Sequence, residues 1–173
     1  MASDHATALP RLFLIRHGDT AWTDSRQHTG RTDLPLNANG EAHACRLGAR
    51  LKGNMFSRVF VSPLVRVRRT CEFAGFAEHA EVDPDLTEWD YGDYESKLTA
   101  DIHRQRPQWN LYHDGAPHGE SPDQVAARWL GLSPVHARHF YTATASIGIL
   151  GYEHDRNQPV LLLWNDDQQV ANA

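Results

Sequence analysis

The chain has 173 residues, of which 40% are hydrophobic and 23% charged, a balance that suits one globular domain with a sizeable core and excludes a disordered chain. Its net charge of −5 and pI near 6.1 argue against a general nucleic-acid or membrane-surface binder, and no apolar run is long enough to cross a bilayer. Two cysteines are too few for a disulfide framework and fit a reducing, cytoplasmic setting.

In chain order, residues 1–10 (MASDHATALP) carry neither a basic stretch nor an apolar one. No secretory signal is expected there, and they read as a flexible arm before a single domain over 11–173. Leu12, Phe13, Leu14 and Ile15 form four consecutive large apolar residues, the pattern of a strand buried on both faces. Arg16 and His17 stand where that strand stops, and Gly18 lets the backbone turn. In open α/β sheets ligands bind outside the carboxyl ends of strands. Residues 22–40 are polar and rich in turn formers, so they read as a long ordered loop. Asn37 or Asn39 then caps a helix carrying Ala42, Cys45, Leu47, Ala49 and Leu51. RVFVS (58–62) is a second buried strand. Residues 62–76 open a helix with Ser62 as its cap and Pro63 in its first turn. Both cysteines fall in helical stretches and read as core residues. Residues 80–96 give a short strand and then an acidic, aromatic loop. A helix over about 98–106 stops at Pro107, and another spans about 123–130. TATASIGILGY (142–152) and PVLLLWN (159–165) read as strands. Alternating strands and helices predict an α/β sheet with helices on both faces.

Three segments carry chemistry. His17 suits a nucleophile, because an imidazole nitrogen can accept a phosphoryl group and later release it to water. Phosphoryl transfer depends on positioning the phosphate and meeting its charge with fixed donors. Arg16 offers a bidentate guanidinium for that task. Arg66 lies one turn into a helix that begins at a strand end, and helix N-termini favour anions. Arg69 follows on roughly the same face, while Arg68 points elsewhere. Glu88, beside Trp89 and near Tyr91, has surroundings expected to raise its pKa and fit it to protonate a leaving alcohol.

These segments resemble the histidine phosphatase superfamily, the phosphoglycerate mutase-like enzymes. The likeness runs through LIRHGDTAW, QHTGRTDLPL, SPLVRVRRT, LTEWDYGDYES, RPQWNLYHDGAPHGES, ARWLGL and LGYEHDRNQPVLLLWN. It looks closest to the sugar-phosphate phosphatase branch that includes sedoheptulose bisphosphatase. The resemblance implies a three-layer α/β/α sandwich on a mostly parallel sheet. It implies His17 as the phosphorylated nucleophile, Arg16 and Arg66 as phosphate ligands, and Glu88 as proton donor. Thr29, Gly30 and Tyr91 match substrate-pocket positions. The implied reaction is hydrolysis of small phosphorylated metabolites, sugar phosphates in particular, through phosphohistidine, with no metal or organic cofactor. The long insertion of cofactor-dependent mutases is not visible after Glu88, which favours a phosphatase.

The sequence departs from the family in three places. Asp19 stands for the usual Glu and Ser96 for the usual Gly. The family's second active-site histidine, which follows a buried strand, has no counterpart, since GESPDQV runs directly into AARWLGL. One family strand is therefore expected to be lacking. Removing one such preorganised donor costs about 10²–10³ in rate, and losing a central strand leaves neighbouring backbone groups unpaired. Pairing of the flanking strands, closure by a homodimer and failure to fold stably all stay open. The alternative function is a degenerate member that binds phosphate or another partner and turns over slowly or not at all. His136 and His139 form a His-x-x-His pair that lacks the further ligands of a zinc site. His154 reads as a surface turn residue, His113 and His118 lie near the site mouth, and RVRR reads as a solvated helix face rather than a nucleic-acid patch.

Overall fold

The computed structural model describes residues 9–120 and 141–167. The apolar run after the arm forms β1 (Leu12–Ile15), and the polar segment behind it contains α1 (Ala21–Ser25). Then follow α2 (Ala38–Leu51), β2 (Val59–Val61), α3 (Val65–Phe73) and β3 (Ala80–Val82). Helices α4 (Thr99–Gln105) and α5 (Leu111–Asp114) precede β4 (Ile147–Tyr152) and β5 (Pro159–Asp166). Among the described residues no helix is long and apolar enough to cross a membrane.

The strands form an α/β fold with two sheets, ordered β1-β4-β5 and β2-β3. β4 runs antiparallel to β1, with Leu12 opposite Leu150 and Ile15 opposite Ile147, and β5 runs antiparallel to β4. Among the described strands only β2 and β3 are parallel, with Val59 opposite Ala80. The expectation of a mostly parallel sheet therefore fails among the described strands. For β4 and β5 the reason lies in chain length, because they are joined only by residues 153–158, and a parallel crossover needs about a dozen residues or more.

The main core lies where α2 meets the larger sheet. Leu47, Leu51, Ala74 and Ile147 form its centre, with Phe13, Phe56, Phe76, Ile149 and Leu163 packed around them. The buried side of α2 is Gly40, Ala44, Leu47 and Leu51, a single helical stripe. Cys45 falls off that stripe and is exposed, and Cys71 is only half-buried, so neither is the core residue expected. Asn37 caps α2, its side-chain oxygen accepting from the Gly40 amide at 2.8 Å.

β1 is not buried on both faces. Phe13 turns toward α2, but Leu12 is 44% and Leu14 39% exposed. Among the described residues β1 pairs with β4 alone and β2 with β3 alone. A cavity of about 1210 Å³ lies against both, lined by Leu12, Leu14, Ile15, Phe56 and Phe60 and reaching Arg16 and His17 at the strand end. Residues 142–146 are not strand. Ala145 adopts φ 52°, its amide donates to the His17 carbonyl at 3.0 Å, and the Ser146 carbonyl accepts from the Arg16 amide at 3.3 Å. That segment thus fixes the backbone of the Arg-His pair. The junction between GESPDQV and AARWLGL, the helix expected over 123–130, and His136 and His139 lie outside the described residues.

Candidate active site

The end of β1 delivers His17 into the interior, where only 7% of it is exposed. Its Nδ1 lies 2.7 Å from the Gly18 carbonyl, and its Nε2 lies 3.2 Å from the Arg66 Nε. A carbonyl only accepts and a guanidinium only donates, so the proton sits on Nδ1 and Nε2 keeps its lone pair. Burial, reinforced by the charges of Arg66 and Arg16, lowers the His17 pKa to about 4, against the opposing Gly18 hydrogen bond and Asp19 charge. The imidazole is therefore neutral at physiological pH, as a nucleophile must be. Gly18 is required by a close approach, since a Cβ there would stand 2.4 Å from the Gly40 carbonyl oxygen of α2. Its amide donates to the Thr70 hydroxyl at 3.0 Å, and that hydroxyl donates to the Arg66 carbonyl at 2.8 Å.

Arg66, on the first turn of α3, has 0% exposure. Besides His17, its guanidinium donates to the carbonyls of Gly30 at 2.7 Å and Thr32 at 3.0 Å. Burial pulls its pKa down, and the carboxylates of Glu88, Asp33 and Glu95 work in the opposite direction. The cap of α3 differs from expectation. Ser62 Oγ lies 3.5 Å from the Leu64 amide, whereas the Asp33 carboxylate takes the Val65 amide at 2.7 Å. Asp33 arrives from a loop distant in sequence, and its carboxylate already occupies part of the helix terminus expected to attract phosphate.

Arg16 is half-buried and donates from Nη1 to the Thr142 carbonyl. Asp19 braces the same corner, accepting from the Thr144 hydroxyl at 2.6 Å and pairing with His43 at 2.8 Å. Glu88 lines the same cavity as Arg16, His17 and Ser62. It is exposed, so the apolar enclosure expected around it does not form. Its Oε1 accepts from the Trp89 amide at 3.2 Å, and its charge acts on Arg66, Tyr91 and Tyr112. Burial, then the Glu88 charge, raises the pKa of both Tyr91 and Tyr112 above the ordinary tyrosine value. Tyr91 stacks with Trp89 and lies tilted against His28.

Arg16, His17, Arg66 and Glu88 thus meet around one corner, with Tyr91 beside it. Thr29 and Gly30 sit differently. The Thr29 hydroxyl donates to the Gln27 carbonyl at 3.1 Å. Gly30 is buried, its amide bound to Glu95 and its carbonyl to Arg66, so it supports the arginine rather than presenting a group to a ligand. A Cβ on Gly30 would fall 1.9 Å from the Trp89 carbonyl oxygen. Gly30→Ala is expected to lower the unfolding free energy by about 2 kcal/mol, as overpacking against rigid backbone does. Thermal or urea unfolding checks this, and an unchanged midpoint would contradict the close approach.

Arg69, expected on the face of Arg66, and His113 and His118, expected near the site mouth, are engaged elsewhere. Arg69 is held by Glu72 at 2.6 Å and lies over Phe73. His113 pairs with Asp114 and His118 with Asp93, both exposed and neither lining the cavity. His154 sits at φ 60° in the β4–β5 turn. Among the described residues no cluster of three or more His, Cys, Asp or Glu is arranged to hold a metal. Sequence reasoning missed Tyr112 and Glu95, and used Thr70 only for its place in the motif around Arg66. Only Thr70 had a usable signal, its i+4 spacing from Arg66 within one helix.

A model of the histidine phosphatase superfamily (branch 1) matches residues 12–132. The chain is 37% identical over 143 residues to sedoheptulose 1,7-bisphosphatase of Saccharomyces cerevisiae, covering 69% of the chain and 52% of the yeast protein. It thus spans about half the length of that relative. Against an acid phosphatase of Mycobacterium tuberculosis it is 34% identical over 197 residues, covering 93% of the chain and 96% of the relative. That alignment is longer than the 173-residue chain, so it opens gaps on this chain's side. A solved structure of a Mycobacterium tuberculosis open reading frame product matches with a TM-score of 0.82 at 30% identity, covering 90% of this chain and 97% of the other.

Proposed function

Because the chain belongs to the histidine phosphatase superfamily (branch 1), we propose that it hydrolyses small phosphate monoesters through a phosphohistidine on His17. The observation that carries this reading is the tautomer: Nδ1–H is tied to the Gly18 carbonyl, and the Nε2 lone pair faces the buried Arg66. Nε2 attacks phosphorus, the P–O ester bond breaks, and the leaving alkoxide takes the proton that Glu88 carries in its acid form. Water then attacks the phosphohistidine, giving its proton to Glu88, releasing inorganic phosphate and restoring neutral His17. Arg16 and Arg66 meet the charge on the transferring phosphoryl oxygens, for which Arg66 exchanges its bond to Nε2 for one to phosphate. Likeness to the yeast bisphosphatase supports sugar phosphates as the substrate class. A panel of sugar phosphates beside p-nitrophenyl phosphate tests it: kcat/KM highest for a sugar phosphate supports the class, and turnover of the aryl ester alone contradicts it.

A second reading, phosphate binding without turnover, is favoured by one observation: three donor nitrogens of Arg66 already hold protein acceptors. Inorganic phosphate raising the melting temperature of a chain with no detectable hydrolysis would establish it.

The depressed His17 pKa has a further consequence for stability. The folded state holds this imidazole neutral down to about pH 4, while the unfolded chain protonates it near the ordinary 6.5. The unfolded state therefore binds more protons between those values, and stability falls as pH drops from 6.5 toward 4. Relative to His17→Asn, the parent is expected to lose about 3 kcal/mol of unfolding free energy across that window. Parallel urea titrations measure the difference, and equal slopes in the two proteins would contradict it.

A further inference from the structure

We propose that Glu95 is a positioning residue that fixes the guanidinium of Arg66 through the 30–32 loop. The inference rests on the phosphatase reading, in which Arg66 meets the phosphoryl group. Glu95 follows a 3₁₀ turn at Gly92–Tyr94, and its Oε1 accepts from two amides, Gly30 at 2.8 Å and Thr32 at 3.0 Å. The same two residues direct their carbonyls to Arg66, at 2.7 and 3.0 Å. One carboxylate therefore holds one side of the loop while the arginine is held by the other. The Glu95 charge also acts favourably on Arg66 across the loop.

Other anchors of the loop are weaker or serve other ends. Arg31 pairs with Asp90 and Glu120 at 3.1 Å, but its side chain is 55% exposed, and exposed pairs contribute little. Asp33 is engaged at the start of α3. Glu95 is the anchor placed inside, and its second oxygen, Oε2, is buried with no hydrogen-bond partner. A buried carboxylate oxygen without a donor is unfavourable. The two hydrogen bonds accepted at Oε1 are what the position supplies against that cost.

The test compares Glu95→Ala and Glu95→Gln, each in the parent and in an Arg66→Met background. Glutamine keeps an oxygen for both amides, whereas alanine releases them. Glu95→Ala is expected to lower kcat/KM for p-nitrophenyl phosphate by about 10- to 100-fold, as displacement of a preorganised donor does. Glu95→Gln should stay within about fivefold of the parent. On Arg66→Met, Glu95→Ala should add less than about threefold, because residues acting through one another are non-additive. A second readout does not depend on turnover. The Arg66 Nε–H resonance, followed by ¹⁵N NMR, should stay protected from exchange in the parent and Glu95→Gln and lose protection in Glu95→Ala. If Glu95→Ala fails to fold, Glu95→Asp, one methylene shorter, carries the same comparison. Unchanged kcat/KM in Glu95→Ala, a full further loss on Arg66→Met, or an unaltered Arg66 resonance would overturn the proposal. A parent without turnover would end the phosphatase reading, yet the resonance would still decide whether Glu95 positions Arg66.

Discussion

His17→Ala is expected to lower kcat for p-nitrophenyl phosphate by about 10⁴-fold or more, as loss of a covalent nucleophile does. The size follows from what the imidazole alone supplies. No other described side chain presents a neutral nitrogen lone pair to the Arg66 guanidinium, and His17 is among the residues that line the cavity. Binding should suffer less, because Arg16 and Arg66 remain. Inorganic phosphate should still raise the melting temperature of the variant. Removal of the ring also leaves the Arg66 Nε without its acceptor, so a fall of about 1–3 kcal/mol in stability is expected alongside. Steady-state rates on protein shown to be folded by thermal melting decide the matter. Turnover within tenfold of the parent would mean that another group attacks phosphorus.

The second large effect is expected at Arg66. Arg66→Met approximates the length of the stem and removes the guanidinium, stranding the Gly30 and Thr32 carbonyls and freeing His17 Nε2. A single preorganised donor of this kind is worth about 2.7–4 kcal/mol in the transition state, so kcat/KM should fall by about 10³-fold. Arg66→Lys should recover little of that, because an ammonium is a point charge that cannot span three acceptors in a plane. Stability has two opposing contributions. Two buried carbonyls lose their donors, at about 1–3 kcal/mol each, while the desolvation of a fully buried cation is relieved. The activity loss should therefore exceed the stability loss, and a variant as active as a tenth of the parent would contradict the role assigned to Arg66.

Much of this corner is legible in the linear sequence because its information is local. A four-residue apolar run closed by Arg16, His17 and Gly18 marks β1 and the group at its end. Asn37 announces α2, and Pro107 limits α4. Features carried by distant partners are not legible. Asp33, thirty-two positions from Val65, caps α3 in place of the adjacent Ser62. Glu95 reaches Gly30 across sixty-five positions, and nothing in GDYES signals it. Apolar composition also misleads where it is read without its cover. Leu12 and Leu14 look like doubly buried residues, but only the α2 side of β1 is packed, and the other side opens on the cavity. Glu88 stands beside Trp89 and near Leu86 and Tyr91 in sequence, yet it is exposed. The antiparallel β4–β5 pair was in principle readable from its short connection, a constraint that strand alternation alone overlooks.

In this mechanism the phosphoryl group passes through His17 Nε2. That transfer is tested most directly by rapid mixing of the protein with a phosphate monoester, quenching during turnover under alkaline conditions that preserve phosphohistidine, and locating the modification by mass spectrometry. One phosphoryl group is expected on the peptide containing His17, and none in His17→Ala. A phosphoryl group on any other residue, or turnover with His17 never modified, would contradict it.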